Sequence, residues 1–146
     1  MVSRRRSWKS LAQRLVEVGP TGVWLLLRTF VLLAAARLAL HLLPISRVIA
    51  WKQRGSKAST EASSTDLQRV RRAVLTVARY SPVRFVCFPQ CLAACALLRS
   101  RSISSRLHYG VARSGDKLVT HTWLEAGGEI VIGGEVAGEY STLAVY

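Results

Sequence analysis

The sequence predicts an α+β fold in which helices come first and an antiparallel sheet follows. Three observations carry this. Apolar residues recur at helical spacing as far as Arg101, strand-like alternation begins at Leu107, and Gly-containing turns separate the alternating segments. Helices followed by strands, rather than interleaved with them, is the order of an α+β domain. The chain has 146 residues, half of them hydrophobic, which is material for about one domain with a real core.

The elements follow in order. From Ser7 to about Val18, Leu11, Leu15 and Val18 share a helical face with Trp8. Gly19-Pro20 ends that helix, and Thr21 is placed to cap the next. The second helix runs to about Leu43, where Pro44 breaks it, and Ile45 to Trp51 reads as a short continuation. Gly55 to Ser64 is small and polar, the composition of a flexible connector. Asp66 is placed to cap a third helix through Val70, Val74, Val77 and Ala78, stopping before Ser81-Pro82. Cys87 to Arg101 reads as a fourth. Strands are expected at Leu107–Ala112, Lys117–Glu125, Glu129–Ile132 and Tyr140–Val145. No internal repeat is visible.

Charge is unevenly spread. Lys and Arg number 21 against 8 Asp and Glu, a net charge of +13. Up to Lys57 the only acid is Glu17, whereas five of the eight acids lie from Asp116 onward. A basic front half suggests an anionic partner. Nucleic acid is disfavoured, because no RRM, KH, zinc-finger or clear helix-turn-helix signature accompanies the charge. The apolar run from Val23 to Leu43 is long enough to span a bilayer, which takes ~20 residues. Arg28 and Arg37 interrupt it, however, and each costs about 2.5–3.5 kcal/mol at a helix centre. The run is therefore expected to be a helix buried against protein and partly a docking surface, not a transmembrane span.

The three cysteines, Cys87, Cys91 and Cys95, lie within nine residues at i, i+4, i+8. One helical face cannot readily close disulfides among them, which points to a reducing, cytoplasmic setting. Nor does that spacing match common zinc or iron–sulfur patterns, so no metal and no cofactor is expected. Cysteine chemistry needs a thiolate, a base and a group that orients the base. Cys87 follows the extended Val83–Val86 at the point where a helix begins, and a helix N-terminus lowers a thiol's pKa and can hold an oxyanion. Cys91 and Cys95 lie deeper in the helix, as small buried residues. His121 is the best-placed base: alternation puts it on one strand face with Trp123 and Glu125. Trp123 either walls the site or fills the core. His108 and His41 are read as structural or exposed.

The third member is open. Glu125 shares the histidine's own strand. A two-residue Gly127-Gly128 turn pairs Ala126 with Glu129 and sets His121 opposite Gly134. A three-residue turn pairs Ala126 with Ile130 and sets His121 opposite Glu135, which would make Glu135 the orienting carboxylate.

The block CFPQCLAACALLRSRSI from Cys87 to Ile103 resembles the helix of lasso-peptide biosynthesis B proteins, which reads like CLPRSLALxxLLRRRGI. LHYGV from Leu107 resembles their LxxGV strand, and HTWLE from His121 their HAWVE motif. The similarity continues through IGG at Ile132–Gly134 and YSTL at Tyr140–Leu143, about 60 residues in all. The resemblance implies a transglutaminase- or papain-like core: one cysteine-bearing helix packed on an antiparallel sheet, spanning 65–146, with 1–64 as a helical cover and docking region. It implies a cysteine peptidase that removes the leader from a ribosomally made precursor, with Cys87 as nucleophile and His121 as base. The short chain resembles the split form, which implies a separate leader-recognition protein and an asparagine-synthetase-like macrolactam cyclase as partners. The family's acid falls here on Gly133, so Glu135 substitutes for it or a backbone or amide group orients the imidazole. Ser102 replaces the family's usual glycine at the helix exit. A non-catalytic basic docking or membrane-associated protein, and an acyltransferase or amidase on the same scaffold, are the alternatives.

Overall fold

The computed structural model describes residues 8–53 and 61–146. Ser7 and residues 55–60 of the expected connector lie outside the described residues. Helix α1 (Trp8–Leu42) is broken at Gly19, whose φ of 69° and ψ of 173° are not helical, with Pro20 starting the second segment. Proline is tolerated there because the first N–H groups of a helix lack partners. α2 (Ile45–Gln53) follows Pro44, and Val48 and Lys52 are its buried residues. α3 (Ser64–Tyr80) buries Leu67, Val70, Ala73 and Val74, the i, i+3, i+6, i+7 stripe of an amphipathic helix.

One expectation is corrected here. Asp66 is not the cap of α3: Ser63 O accepts from both Asp66 N and Leu67 N, so the helix starts earlier and Asp66 lies in its first turn. There its carboxylate stands 3.8 Å from Arg101.

α4 (Cys87–Arg99) carries the densest core, with Cys91 to Cys95, Leu97 and Leu98 all buried. The chain leaves it through Ser102, which takes a positive φ of 57°, while Ile103 N bonds back to Leu98 O. Strands β1 (Arg106–Ser114), β2 (Lys117–Ala126), β3 (Glu129–Ile132) and β4 (Ser141–Val145) form one sheet in the order β3-β2-β1-β4. The pairings are all antiparallel. Leu107, Leu124, Ala126 and Ile132 face the helices and join Val70, Val74, Cys91, Leu97 and Leu98 in a single core. This is the α+β arrangement expected of a cysteine-bearing helix packed on an antiparallel sheet.

The β2–β3 hairpin settles its own register. Gly127 and Gly128 both have positive φ, 59° and 80°, as a two-residue turn of the mirror-image type requires. Ala126 pairs with Glu129 and Glu125 with Ile130, but Leu124 then pairs with Ile132. Val131 is the extra residue of a bulge, and it is buried beside Ile132. β3 ends there, so no strand residue pairs with His121 on that side.

The first helical layer differs from expectation. The Gly19–Leu42 segment packs Thr29 and Leu33 inward, but only 11% of its most apolar window is buried. Trp24, Leu27, Val31, Leu38 and Leu42 are exposed along one side. The reading of this run as a buried helix is therefore corrected in extent: it packs one side on α3 and α4, and among the described residues nothing covers its outer face. By length and composition the segment is sufficient to cross a membrane.

Candidate active site

Cys87 is the first residue of α4 and is half-buried. Val86 before it is extended, with φ −82° and ψ 178°, and the first intrahelical bond runs from Gln90 N to Val86 O. The N–H groups of Cys87 and Phe88 therefore have no helical acceptor and point out of the helix start, and Pro89 has none to offer. Three contacts fix this start. Phe85 is buried with Leu33 and Ala93 and meets Phe30 edge-on, ring centroids 6.4 Å apart. The Gln90 side-chain amide donates to Phe85 O at 2.8 Å. The Arg37 guanidinium donates to Arg84 O. Arg37, which in the sequence only argued against a membrane span, thus ties α1 to the segment that delivers the cysteine.

His121 lies on β2, where alternation sends it with Trp123 and Glu125 to the face away from Leu124 and Ala126. Its Nε2 is 2.8 Å from Gly133 O. A carbonyl can only accept, so Nε2 carries the hydrogen and Nδ1 is the free basic nitrogen of the neutral ring. The ring also stacks with Trp123 at 6.1 Å and meets Tyr140 at 5.2 Å. Gly110, paired with His121 across the β1–β2 ladder, leaves room for this cluster: a Cβ there would come within 2.7 Å of the Trp123 indole.

α4 reaches this part of β2 through Cys91 rather than Cys87. Cys91, one turn after Cys87, has its Sγ 3.5 Å from Thr122 O. A Cβ built on Gly133 would lie 2.8 Å from that same carbonyl and 3.1 Å from His121 Nε2. Thr122 O is thus shared by Cys91 of α4 and the Gly133 backbone beside the His121 ring, while the ring itself is on the sheet face away from α4. Among the described residues no hydrogen bond joins Cys87 Sγ to His121.

Glu135 is not among the hydrogen-bond partners of His121. It is mostly exposed and pairs with Arg71 of α3 at 3.3 Å. Glu125 is taken up by Arg106 at 2.7 Å and by His108 Nε2 at 3.0 Å. His108 stacks flat on Trp123, centroids 5.4 Å apart, so it too buttresses the indole. The other two cysteines are enclosed. Burial pushes the Cys91 thiol well above the ordinary range, and the nearby Cys87 and Cys95 push it further the same way. Cys95 accepts from Ser105 Oγ, and Lys52 Nζ beside it donates to Ser105 O and Tyr146 O. Burial lowers the Lys52 pKa, partly offset by the neighbouring Cys95 side chain. Among the described residues no group of three His, Cys, Asp or Glu is placed to hold a metal ion.

Sequence reasoning left a backbone group open as the partner of His121 without identifying Gly133 O, and it missed Arg37 and Gln90 as anchors and Tyr140 as a neighbour of His121. Only the glycine carried a signal, as the residue standing where the resembling family has its acid.

No curated protein and no solved structure matches the chain significantly. A family model, described as the transglutaminase-like superfamily, matches residues 30–145. That span takes in most of the Gly19–Leu42 segment and every residue of the site just described. The chain belongs to the transglutaminase-like superfamily, and the domain it carries is the hallmark of the B-type maturases of lasso-peptide biosynthesis.

Proposed function

We propose that this chain is a cysteine peptidase that removes the leader from a lasso-peptide precursor. Family membership links it to lasso-peptide maturases, some of which have cysteine-protease-like activity. The observation that carries the finer reading is Cys87 at the unsatisfied start of α4, one turn from a contact with the strand that bears His121. In this reading residues 65–146 form the catalytic core, and 1–64 cover it and dock partners. Those partners are a separate leader-recognition protein and the macrolactam cyclase, and the work is done in the cytoplasm.

The chemistry is acyl transfer to water. His121 Nδ1 takes the thiol proton, and Cys87 Sγ attacks the carbonyl at the leader–core junction. The N–H groups of Cys87 and Phe88 receive the oxyanion of the tetrahedral intermediate. The imidazolium then protonates the leaving amine, and water hydrolyses the thioester with His121 again as base. Gly133 O holds Nε2–H throughout, so in this reading a backbone carbonyl does the orienting work and Glu135 serves the Arg71 ion pair. Contacts between nucleophile and base are often long without substrate and tighten when it binds.

The test is cleavage of the cognate precursor, with the recognition protein present, followed by mass spectrometry. Cys87→Ala and His121→Ala should abolish the leader fragment while leaving precursor binding intact. Full cleavage by Cys87→Ala would end the peptidase reading. Products carrying a new acyl acceptor rather than water would favour the acyltransferase alternative. One observation favours a second reading, a docking or membrane-associated protein: the exposed apolar face of the Gly19–Leu42 segment. Flotation of the chain with vesicles in the absence of partners would support it.

A further inference from the structure

Between the first turns of the Gly19–Leu42 segment and the outer face of α3 lies an open groove of about 1000 Å³. Arg28 stands on one wall, Arg69 and Arg72 on the other, and Arg101 closes one end. Among the described residues no carboxylate lines it. Arg101 is held by Asp66, but among the described residues Arg28, Arg69 and Arg72 make no ion pair and no side-chain hydrogen bond. Arg69 and Arg72 are three apart on one helix, a like-charge pair that weakens the helix on its own. The groove is not purely polar: Trp24, two-thirds exposed, and Leu25 add apolar surface between the guanidinium groups.

We propose that this groove docks an acidic, partly apolar segment of another polypeptide. Guanidinium groups on facing walls fit carboxylates that enter between them, and their planar forks suit bidentate pairing. A flat bilayer reaches a ridge more readily than a concavity, which argues against anionic lipid as the occupant. A nucleic-acid strand needs successive aromatic platforms for its bases, and among the described residues Trp24 is the single aromatic one lining this groove. The chain's own second copy is disfavoured by a net charge of +13 on each. The groove lies at the end of α4 away from Cys87, roughly 20 Å along a helix of this length. An extended segment of about six residues would span that distance, so the groove is an exosite. Its occupancy does not depend on Cys87 being a nucleophile.

The experiment is fluorescence anisotropy on the full chain with a labelled peptide of alternating glutamate and leucine. The comparison probes are a glutamate–serine peptide, a lysine–leucine peptide, single-stranded DNA and anionic vesicles. Arg28→Gln, Arg69→Gln and Arg72→Gln together should weaken the glutamate–leucine peptide by at least about tenfold. A control triple, Arg79→Gln, Arg113→Gln and Lys117→Gln, removes the same charge elsewhere and should change it by under about twofold. The exposed Gln68→Glu exchange, which leaves every arginine in place, should weaken binding by at least about threefold, and it decides the matter if the groove triple fails to fold. Equal loss in both triples, no binding to the wild-type chain, or tighter groove-dependent binding of DNA or vesicles would each overturn the proposal. Because the readout is binding and not turnover, this inference and the peptidase reading fail separately.

Discussion

Cys87 and Cys91 stand one turn apart on α4, and burial separates their chemistry. Cys87 is half-buried at the helix start, whereas Cys91 is fully enclosed with its thiol pushed up by burial. Iodoacetamide at neutral pH should therefore label Cys87 first, leaving Cys91 and Cys95 until the chain unfolds; peptide mapping by mass spectrometry reads this directly. Comparable early labelling of Cys91 would contradict it. The same shift has a sign for stability. Below the ordinary thiol range Cys91 is neutral in both states and contributes no pH dependence. Above about pH 8.5 the unfolded chain loses the proton and the folded one keeps it, so stability falls as pH rises toward the folded value. Cys91→Ala should flatten that decline in urea unfolding at pH 8 and pH 10. Two backbone positions make an opposing pair. Gly133 has φ +79°, and a Cβ there would press on Thr122 O, a backbone atom that cannot swing away. Gly133→Ala should cost about 2 kcal/mol or more and disturb the His121 bond. Ser102 holds a positive φ of 57° without that freedom, so Ser102→Gly should stabilise by a few tenths to about 1 kcal/mol, seen as a higher Tm.

At the scale of elements, the site depends on how α4 begins, and α1 contributes to that beginning. The Arg37 bond to Arg84 O and the Gln90 bond to Phe85 O hold the extended segment before Cys87. Neither residue touches the reacting atoms, so their effect is on position. If the chain is the leader peptidase proposed above, Arg37→Met and Gln90→Ala should each slow that cleavage by about tenfold while moving Tm by no more than about 6 °C; a large fall in Tm with an unchanged rate would make them purely structural. Much of this level is legible from sequence. The strands were readable to within a residue or two because alternation and paired turn glycines mark them, and Pro82 marks the end of α3. The start of the helix at Cys87 and the strand bearing His121 were readable for the same reasons. The bulge at Val131 was not, because two consecutive apolar residues look alike whichever one is extra. Which backbone group meets His121 was hidden because a carbonyl has no side-chain signature. The role of Arg37 was hidden because its partner is 47 residues away in sequence.

Across the whole molecule, α3 and α4 pack on the four-stranded sheet and α1 packs on α3 and α4, so among the described residues one side of this outermost helix has no protein neighbour. The sequence from Val23 to Leu43 could not reveal which side. Apolar on nearly every face, it carries no phase, and only packing on α3 and α4 selects Thr29 and Leu33 as inward. The exposed stripe of Leu27, Val31 and Leu38 therefore contributes little to the stability of the isolated chain, since its surface is not removed from water on folding. Leu27→Gln, Val31→Gln and Leu38→Gln should each change unfolding free energy by no more than about 0.5 kcal/mol. Leu33→Ala, at a fully buried position in the same helix, should cost about 2–5 kcal/mol. The stripe should show itself in solution behaviour: the triple glutamine variant should bind less of a hydrophobic dye and scatter less light at high concentration, with its urea midpoint nearly unchanged. If the glutamine exchanges destabilise the chain as much as Leu33→Ala does, the stripe is covered within the molecule itself, and the outer face of this helix is not available to any partner.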